Sequence, residues 1–128
     1  MDRLRRRLAS SEGFTLIELL VVIVIIGILL AIAIPSYLGF RKQAQDTAGK
    51  ANVREAVPSA ESYFANNSSY SGMTTGALKA IDSGLSPSVS VTKATATTYC
   101  LSAPGQASTT WYFGGPGGTV TSSVPANC

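Results

Sequence analysis

Apolar and polar positions divide the chain into four stretches. Residues 1–13 form a polar, arginine-bearing tail. Phe14 to Phe40 then runs for about 27 residues with a single charge, Glu18. A run that is apolar on every side predicts a helix buried in lipid or in a protein core, and about 20 apolar residues suffice to span a bilayer. From residue 41 the pattern changes. Val53, Ala56, Val57, Ala60 and Phe64 recur at helical spacing, with Lys50, Arg54 and Glu61 largely off the stripe. This predicts that the helix continues in water over 41–65 as an amphipathic outer half, its apolar stripe packed on a small sheet. A straight helix from Phe14 to Ala65 would hold about 52 residues and extend about 78 Å; a helix that long needs partners in water.

Several residues interrupt these patterns. Val21 to Ile26 are all β-branched, which lowers helix propensity in water; a bilayer overrides this, because every backbone group there must be bonded internally. Pro35 removes a backbone donor and crowds Ala31 one turn back. Gly49 and Pro58 read as local breakers, and Pro35 and Pro58 each predict a kink. Arg41 and Lys42 mark the outer membrane boundary, where Tyr37 and Phe40 suit an interfacial aromatic belt. Residues 66–88 read as a loop with one short helix through Ala77, Leu78, Ala80 and Ile81, capped by Thr74 or Thr75 and stopped near Gly84. Residues 89–128 read as antiparallel β. The strands fall at Val89–Thr92, Thr97–Leu101, Thr109–Phe113 and Thr119–Val124, with Gly114–Gly118 as a turn. Trp111 is expected in the core or on a sheet face.

Charge and composition narrow the chemistry. The formal net charge is +3, but the tail's Arg3, Arg5, Arg6 and Arg7 against Asp2 and Glu12 supply +2 of it. The basic balance therefore says little about nucleic acid, and Lys79 and Lys93 alone are thin support for it. Four Arg before an apolar segment direct the N-terminus to the cytoplasm and the C-terminus outward. The chain has no His, and its two cysteines are Cys100 and Cys128. That set cannot make the usual zinc sites; in an extracytoplasmic chain it favours a disulfide. Such a bond closes a loop of about 29 residues and contributes about 3.5 kcal/mol in the chain-entropy account. No catalytic constellation is visible, so an enzyme is not expected, and no cofactor or metal is implied. Gly114–Gly118 lacks the strand-to-helix context of a phosphate cradle. Asn66-Asn67-Ser68 and Asn67-Ser68-Ser69 match a glycosylation sequon, a weak signal by itself.

The anomaly is Glu18. An unpaired carboxylate in an apolar segment costs several kcal/mol or more, and intramembrane acids are functional candidates. Its surroundings, Gly13-Phe14-Thr15-Leu16-Ile17-Glu18-Leu19-Leu20-Val21-Val22, closely resemble the prepilin signature of type IV pilins and type II secretion pseudopilins. Tyr63-Phe64-Ala65-Asn66-Asn67 is similar to the end of the pilin long helix. The resemblance implies an α+β pilin-like fold: a long N-terminal helix whose outer half packs on a small antiparallel sheet, with a C-terminal disulfide, here Cys100–Cys128. It divides the chain into a cytoplasmic leader (1–13), removed between Gly13 and Phe14; a transmembrane and filament-core helix (14–40); the outer half of that helix (41–65); and a β-rich head (66–128).

Further expectations follow from the resemblance. Phe14 would be N-methylated, and Glu18 of one subunit would pair with the Phe14 amine of the next, so that two charges neutralise each other in an apolar core. The helix around Gly27 and Pro35 would loosen on assembly. The implied partners are further copies in a helical filament, a prepilin peptidase and methyltransferase, the inner-membrane assembly machinery, and the bilayer before assembly. The subunit would leave the membrane for a cell-surface fibre serving adhesion, motility or DNA uptake. A type II secretion pseudopilin is the alternative within the family. Asp82 is the one side-chain carboxylate after Glu61, too few for the calcium cage such proteins often carry. From another class, a secreted or membrane-anchored non-filament binding module remains, with Ala31-Ile32-Ala33 as an ordinary leader site.

Overall fold

The structure is a computed structural model that describes residues 15–128. The leader and the Gly13–Phe14 junction lie outside the described residues. Helix α1 spans Leu16–Asn67 and helix α2 spans Thr75–Ile81; strands β1 (Ser90–Ala94), β2 (Tyr99–Pro104), β3 (Thr110–Gly115) and β4 (Val120–Thr121) follow. The strands form one antiparallel sheet in the order β1-β2-β3-β4. With the disulfide between Cys100 and Cys128, this is the α+β architecture expected of a pilin-like chain. The chain divides into two compact units, one ending at Phe40 and the other running Arg41–Cys128.

In the first unit, the large apolar residues from Leu16 to Phe40 are exposed on every side. By length and composition α1 is able to cross a membrane. Gly27 and Pro35 are helical, so neither interrupts α1 in the single subunit. Gly49 and Pro58 do not break it either. Pro58 and Arg54 are both exposed, so the carbonyl that Pro58 leaves without a donor turns to water.

The second unit is built on the inner face of α1. Gly49, Val53, Ala56, Ser59 and Ala60 are buried. Val53, Ala56 and Ala60 meet Leu78, Leu85, Val89, Tyr99, Leu101, Ala103 and Phe113 in one core. The expected stripe is therefore present and packs on the sheet, with one correction. Phe64 is 37% exposed and lies against Tyr70, ring centroids 4.6 Å apart. Thr74 caps α2 by accepting from the Ala77 amide, and α2 ends at Asp82, whose carboxylate accepts from the Gly84 amide.

The strands differ from expectation at their ends. β2 starts at Tyr99 because Thr97 and Thr98 both donate backbone N–H groups to the Thr95 hydroxyl, which makes a turn. It continues to Pro104 because Ser102 and Ala103 pair with Tyr112 and Trp111. β3 takes in Gly114 and Gly115, which were expected in the turn; Gly115 sits opposite Tyr99, and a side chain there would collide with the Tyr99 ring. β4 stops at Thr121, where the hydroxyl accepts from the Ser123 amide and bends the chain away.

Candidate assembly site and the contacts that hold the head

Thr15 precedes the first helical residue, and Glu18 lies three residues on. The Glu18 amide donates to Thr15 Oγ1 at 3.3 Å, and the Thr15 amide donates to Glu18 Oε2 at 3.2 Å. This is a capping box, which satisfies two of the backbone donors a helix start leaves free. A carboxylate in the first turn also suits the positive end of the helix dipole. Glu18 therefore has a partner within its own chain, the Thr15 amide. The Thr-Leu-Ile-Glu spacing itself carried the capping signal, hidden under the apolar run. Phe14, the expected partner, lies outside the described residues.

Cys100 and Cys128 are joined, with their Cα atoms 5.2 Å apart. Cys100 is fully buried in β2, and Cys128 ends a segment that lies over Gly114 through Pro125 and Asn127. Asn127 Nδ2 donates to the Gly115 carbonyl at 3.3 Å. The bond fastens the C-terminal segment onto the sheet.

Side chains and backbone of α1 hold the sheet and its β2–β3 turn at positions that helical spacing does not mark. Asp46 accepts from the Gln106 amide at 2.9 Å and from Trp111 Nε1 at 3.2 Å, which pins the β2–β3 turn to the helix. One turn on, the Lys50 ammonium sits 4.3 Å from the centroid of the Trp111 ring; Lys50 therefore faces the sheet instead of lying off the stripe. Between them, Gly49 brings backbone against backbone. A Cβ at Gly49 would stand 2.6 Å from the Pro104 carbonyl oxygen and 2.9 Å from Trp111 Cδ1. Gly49 is thus a packing position, and the helix accepts a poor helix former there because nothing larger fits.

Glu61 lies off the buried stripe, as expected, and is exposed, yet it reaches the head's tyrosines. Its carboxylate accepts from the Tyr70 hydroxyl and from the Tyr99 hydroxyl, each at 2.9 Å. Burial, reinforced by the hydrogen bond to Glu61 and by its charge, pushes the Tyr70 phenol up to about 12. The same causes push fully buried Tyr99 up as well, with burial again the largest. Glu61 itself stays exposed, so the two buried phenols reach a hydrogen-bond acceptor at the rim of the core, and the rings of Tyr70 and Tyr99 pack 4.6 Å apart.

The comparisons with known proteins agree with this architecture. A family described as "Prokaryotic N-terminal methylation motif" matches residues 8–34. The chain is 38% identical over 131 residues to the type IV wide pilus major component PilA4 of Thermus thermophilus, an alignment covering 93% of this chain and 98% of that one. It is 39% identical over 69 residues to the type IV major pilin protein PilA of Myxococcus xanthus, covering 54% of this chain and 31% of that one. Type II secretion system core protein G of Pseudomonas aeruginosa is 36% identical over 61 residues, covering 48% of this chain and 43% of its own length. An apolar helix with a capped start, a small disulfide-fastened sheet domain and near full-length similarity to a pilus major component define the class. The chain belongs to the type IV pilin family.

Proposed function

We infer that this chain is a structural subunit of a type IV pilus filament. The observation that carries the reading is the segment Leu16–Phe40: its large Leu, Ile, Val and Phe side chains are all exposed within the subunit. Such a surface needs lipid or neighbouring helices around it. Before assembly the bilayer serves; afterwards the corresponding helices of other subunits do. Head-to-tail packing of identical subunits that does not close on itself yields an open fibre. The methylation-motif match over residues 8–34 supports removal of residues 1–13 by a prepilin peptidase and methylation of Phe14. Domain roles follow: leader, filament-core helix to Phe40, outer helix, and head on the fibre surface, where adhesion, motility or DNA uptake would act.

Glu18 has two uses in this scheme. In the single subunit it closes the capping box with Thr15. In the filament one carboxylate oxygen meets the new amine on Phe14 of the neighbour, so that neither charge stays unpaired in an apolar core. A subunit out of register leaves one charge without a partner, and the pair therefore selects register. Around Gly27 and Pro35 the missing donor of Pro35 lowers the cost of loosening the helix on assembly.

The test is intact mass and N-terminal sequencing of material sheared from cells that make this protein. A chain starting at methylated Phe14 with one disulfide supports the reading. A soluble chain starting at Ile34, after Ala31-Ile32-Ala33, overturns it in favour of a secreted module. Short fibres confined to a secretion machine would assign the chain to the pseudopilins, whose core protein G aligns with about half of this chain.

A further inference from the structure

A row of hydroxyl side chains crosses the sheet on the face turned away from α1. In register, Ser90 stands opposite Ser102, Ser102 opposite Tyr112, and Tyr112 opposite Thr121. Leu101, Ala103, Trp111 and Phe113 pack toward the core, so strand alternation sends Ser102 and Tyr112 to the other face. Thr92, at an irregularity in β1, donates its hydroxyl to Ser102 Oγ at 3.3 Å and therefore belongs to the same face. Ser102 is 8% exposed and forms the floor. Ser90 and Thr92 are exposed, while Tyr112 and Thr121 are half-buried. The C-terminal segment bounds one end through Pro125 and Asn127 over Gly114; the pair Pro104–Thr110 lies at the other.

Two features set this face apart from an ordinary solvated sheet. The first is Tyr112. The hydroxyls of Tyr63, Tyr70 and Tyr99 are committed within the head, to the Ser71 carbonyl and to Glu61, whereas the Tyr112 ring lies half-exposed in the middle of the row. The second is charge. Lys93, on edge strand β1, carries the one charge in the four strands.

We propose that this face binds a neutral glycan, with a sugar ring resting on Tyr112 and its hydroxyls bonded to Ser90 and to the hydrogen-bonding positions that the bonds to Ser102 and Ser123 leave open on Thr92 and Thr121. Serine and threonine hydroxyls both donate and accept, as sugar hydroxyls do, and an amphipathic tyrosine matches a sugar's apolar C–H face and polar rim. A polyanion would need several cations where the face has one. A protein partner would want a larger apolar centre than a single ring. One ring and a few neutral hydrogen bonds give weak binding per subunit, on the order of millimolar. Repetition along a filament multiplies it by avidity; that last step alone rests on the filament reading.

The experiment titrates the full-length chain, held in lipid nanodiscs, with a soluble β-linked glucose oligosaccharide and follows the amide signals of β1–β4. The expected result is saturable shifts on this face that are unchanged between ~50 and ~500 mM salt. Tyr112→Ala should weaken binding about tenfold or more, and Tyr112→Phe should keep most of it. Ser90→Glu, at an exposed edge position, serves as a second blocking variant should Tyr112→Ala misfold. No shifts with this or an α-linked glucose oligosaccharide would overturn the proposal. So would binding indifferent to both blocking variants, or binding that ~500 mM salt abolishes, since a neutral sugar held by neutral hydrogen bonds does not respond to screening. Sheared fibres are then mixed with an insoluble neutral glucan. Absence of fibres counts against the filament reading and leaves the nanodisc titration to judge the face; intact fibres with a silent titration count against the face alone.

Discussion

The two parts of α1 use side-chain size in opposite ways. Up to Phe40 the helix carries large apolar residues, and all of them are exposed; Leu16 is 86% exposed. Beyond Arg41 its buried positions are small, Gly49, Ala56, Ser59 and Ala60 with Val53, and Val53 is 0% exposed. The difference follows from where each part finds its partner. A surface that must be covered by lipid or by other chains gains from large side chains that offer area. A surface packed on its own sheet gains from small ones that let helix and strands approach until Asp46 reaches Gln106 and Trp111. One half is complete only outside the subunit, and the other is complete within it.

This contrast can be broken from either side. The largest effect is expected at Glu18. Glu18→Ala should abolish filaments or nearly so, while the chain still inserts in the membrane and the head keeps its unfolding transition; electron microscopy and membrane fractionation read the two outcomes. Normal fibres from this variant would remove the register role given to Glu18. The converse change lies at Gly49. Gly49→Val forces a side chain against the Pro104 carbonyl and Trp111, and should destabilise the head by about 3 kcal/mol or more, read by denaturant unfolding, with the membrane segment unaffected. Removing the disulfide by Cys100→Ala together with Cys128→Ala should cost about 3.5 kcal/mol in the loop-closure account. It should release the C-terminal segment first, which hydrogen exchange at Gly114 and Gly115 would detect.

A smaller effect is expected at Glu61. Glu61→Gln leaves an acceptor for one of the two tyrosine hydroxyls, and should cost about 1–2 kcal/mol. The pH dependence follows the same group. The Tyr70 phenol ionises near pH 10 unfolded and is pushed up to about 12 in the fold, so the folded state holds its proton longer. The stability this contributes is complete below about pH 10 and is lost as pH rises through about 12. Tyr99, shifted in the same direction, extends the loss to higher pH. Tyrosinate absorbance during alkaline titration should show Tyr70 and Tyr99 ionising late, and Glu61→Gln should bring both down while burial still holds them above the ordinary value. The smallest effect is at Ser68, which ends α1 with φ at 56°; Ser68→Gly should raise the melting temperature slightly, in keeping with a gain of roughly a few tenths of a kcal/mol.

The long helix, the short helix capped at Thr74, the presence of all four strands and the pairing of two lone cysteines were legible in the chain because each depends on local periodicity, local turn chemistry or a count. Glu18 stood out for a similar reason: one carboxylate in an apolar run needs no coordinates to be noticed. Asp46, Gly49 and Glu61 could not be recognised this way. The partners of Asp46 lie 60 and 65 residues along the chain, and Tyr99 lies 38 from Glu61. Helical spacing tells which residues share a face and not what that face meets, so a charged residue beside the stripe reads as solvated and a glycine as a breaker. The ends of β2 and β3 were misread for the same reason, since Ser102, Ala103, Gly114 and Gly115 are poor strand formers that the register holds in place. Local chemistry sets which elements form; the close approach of α1 to the sheet, available only when the chain is folded, determines which polar groups are brought together and where only glycine fits.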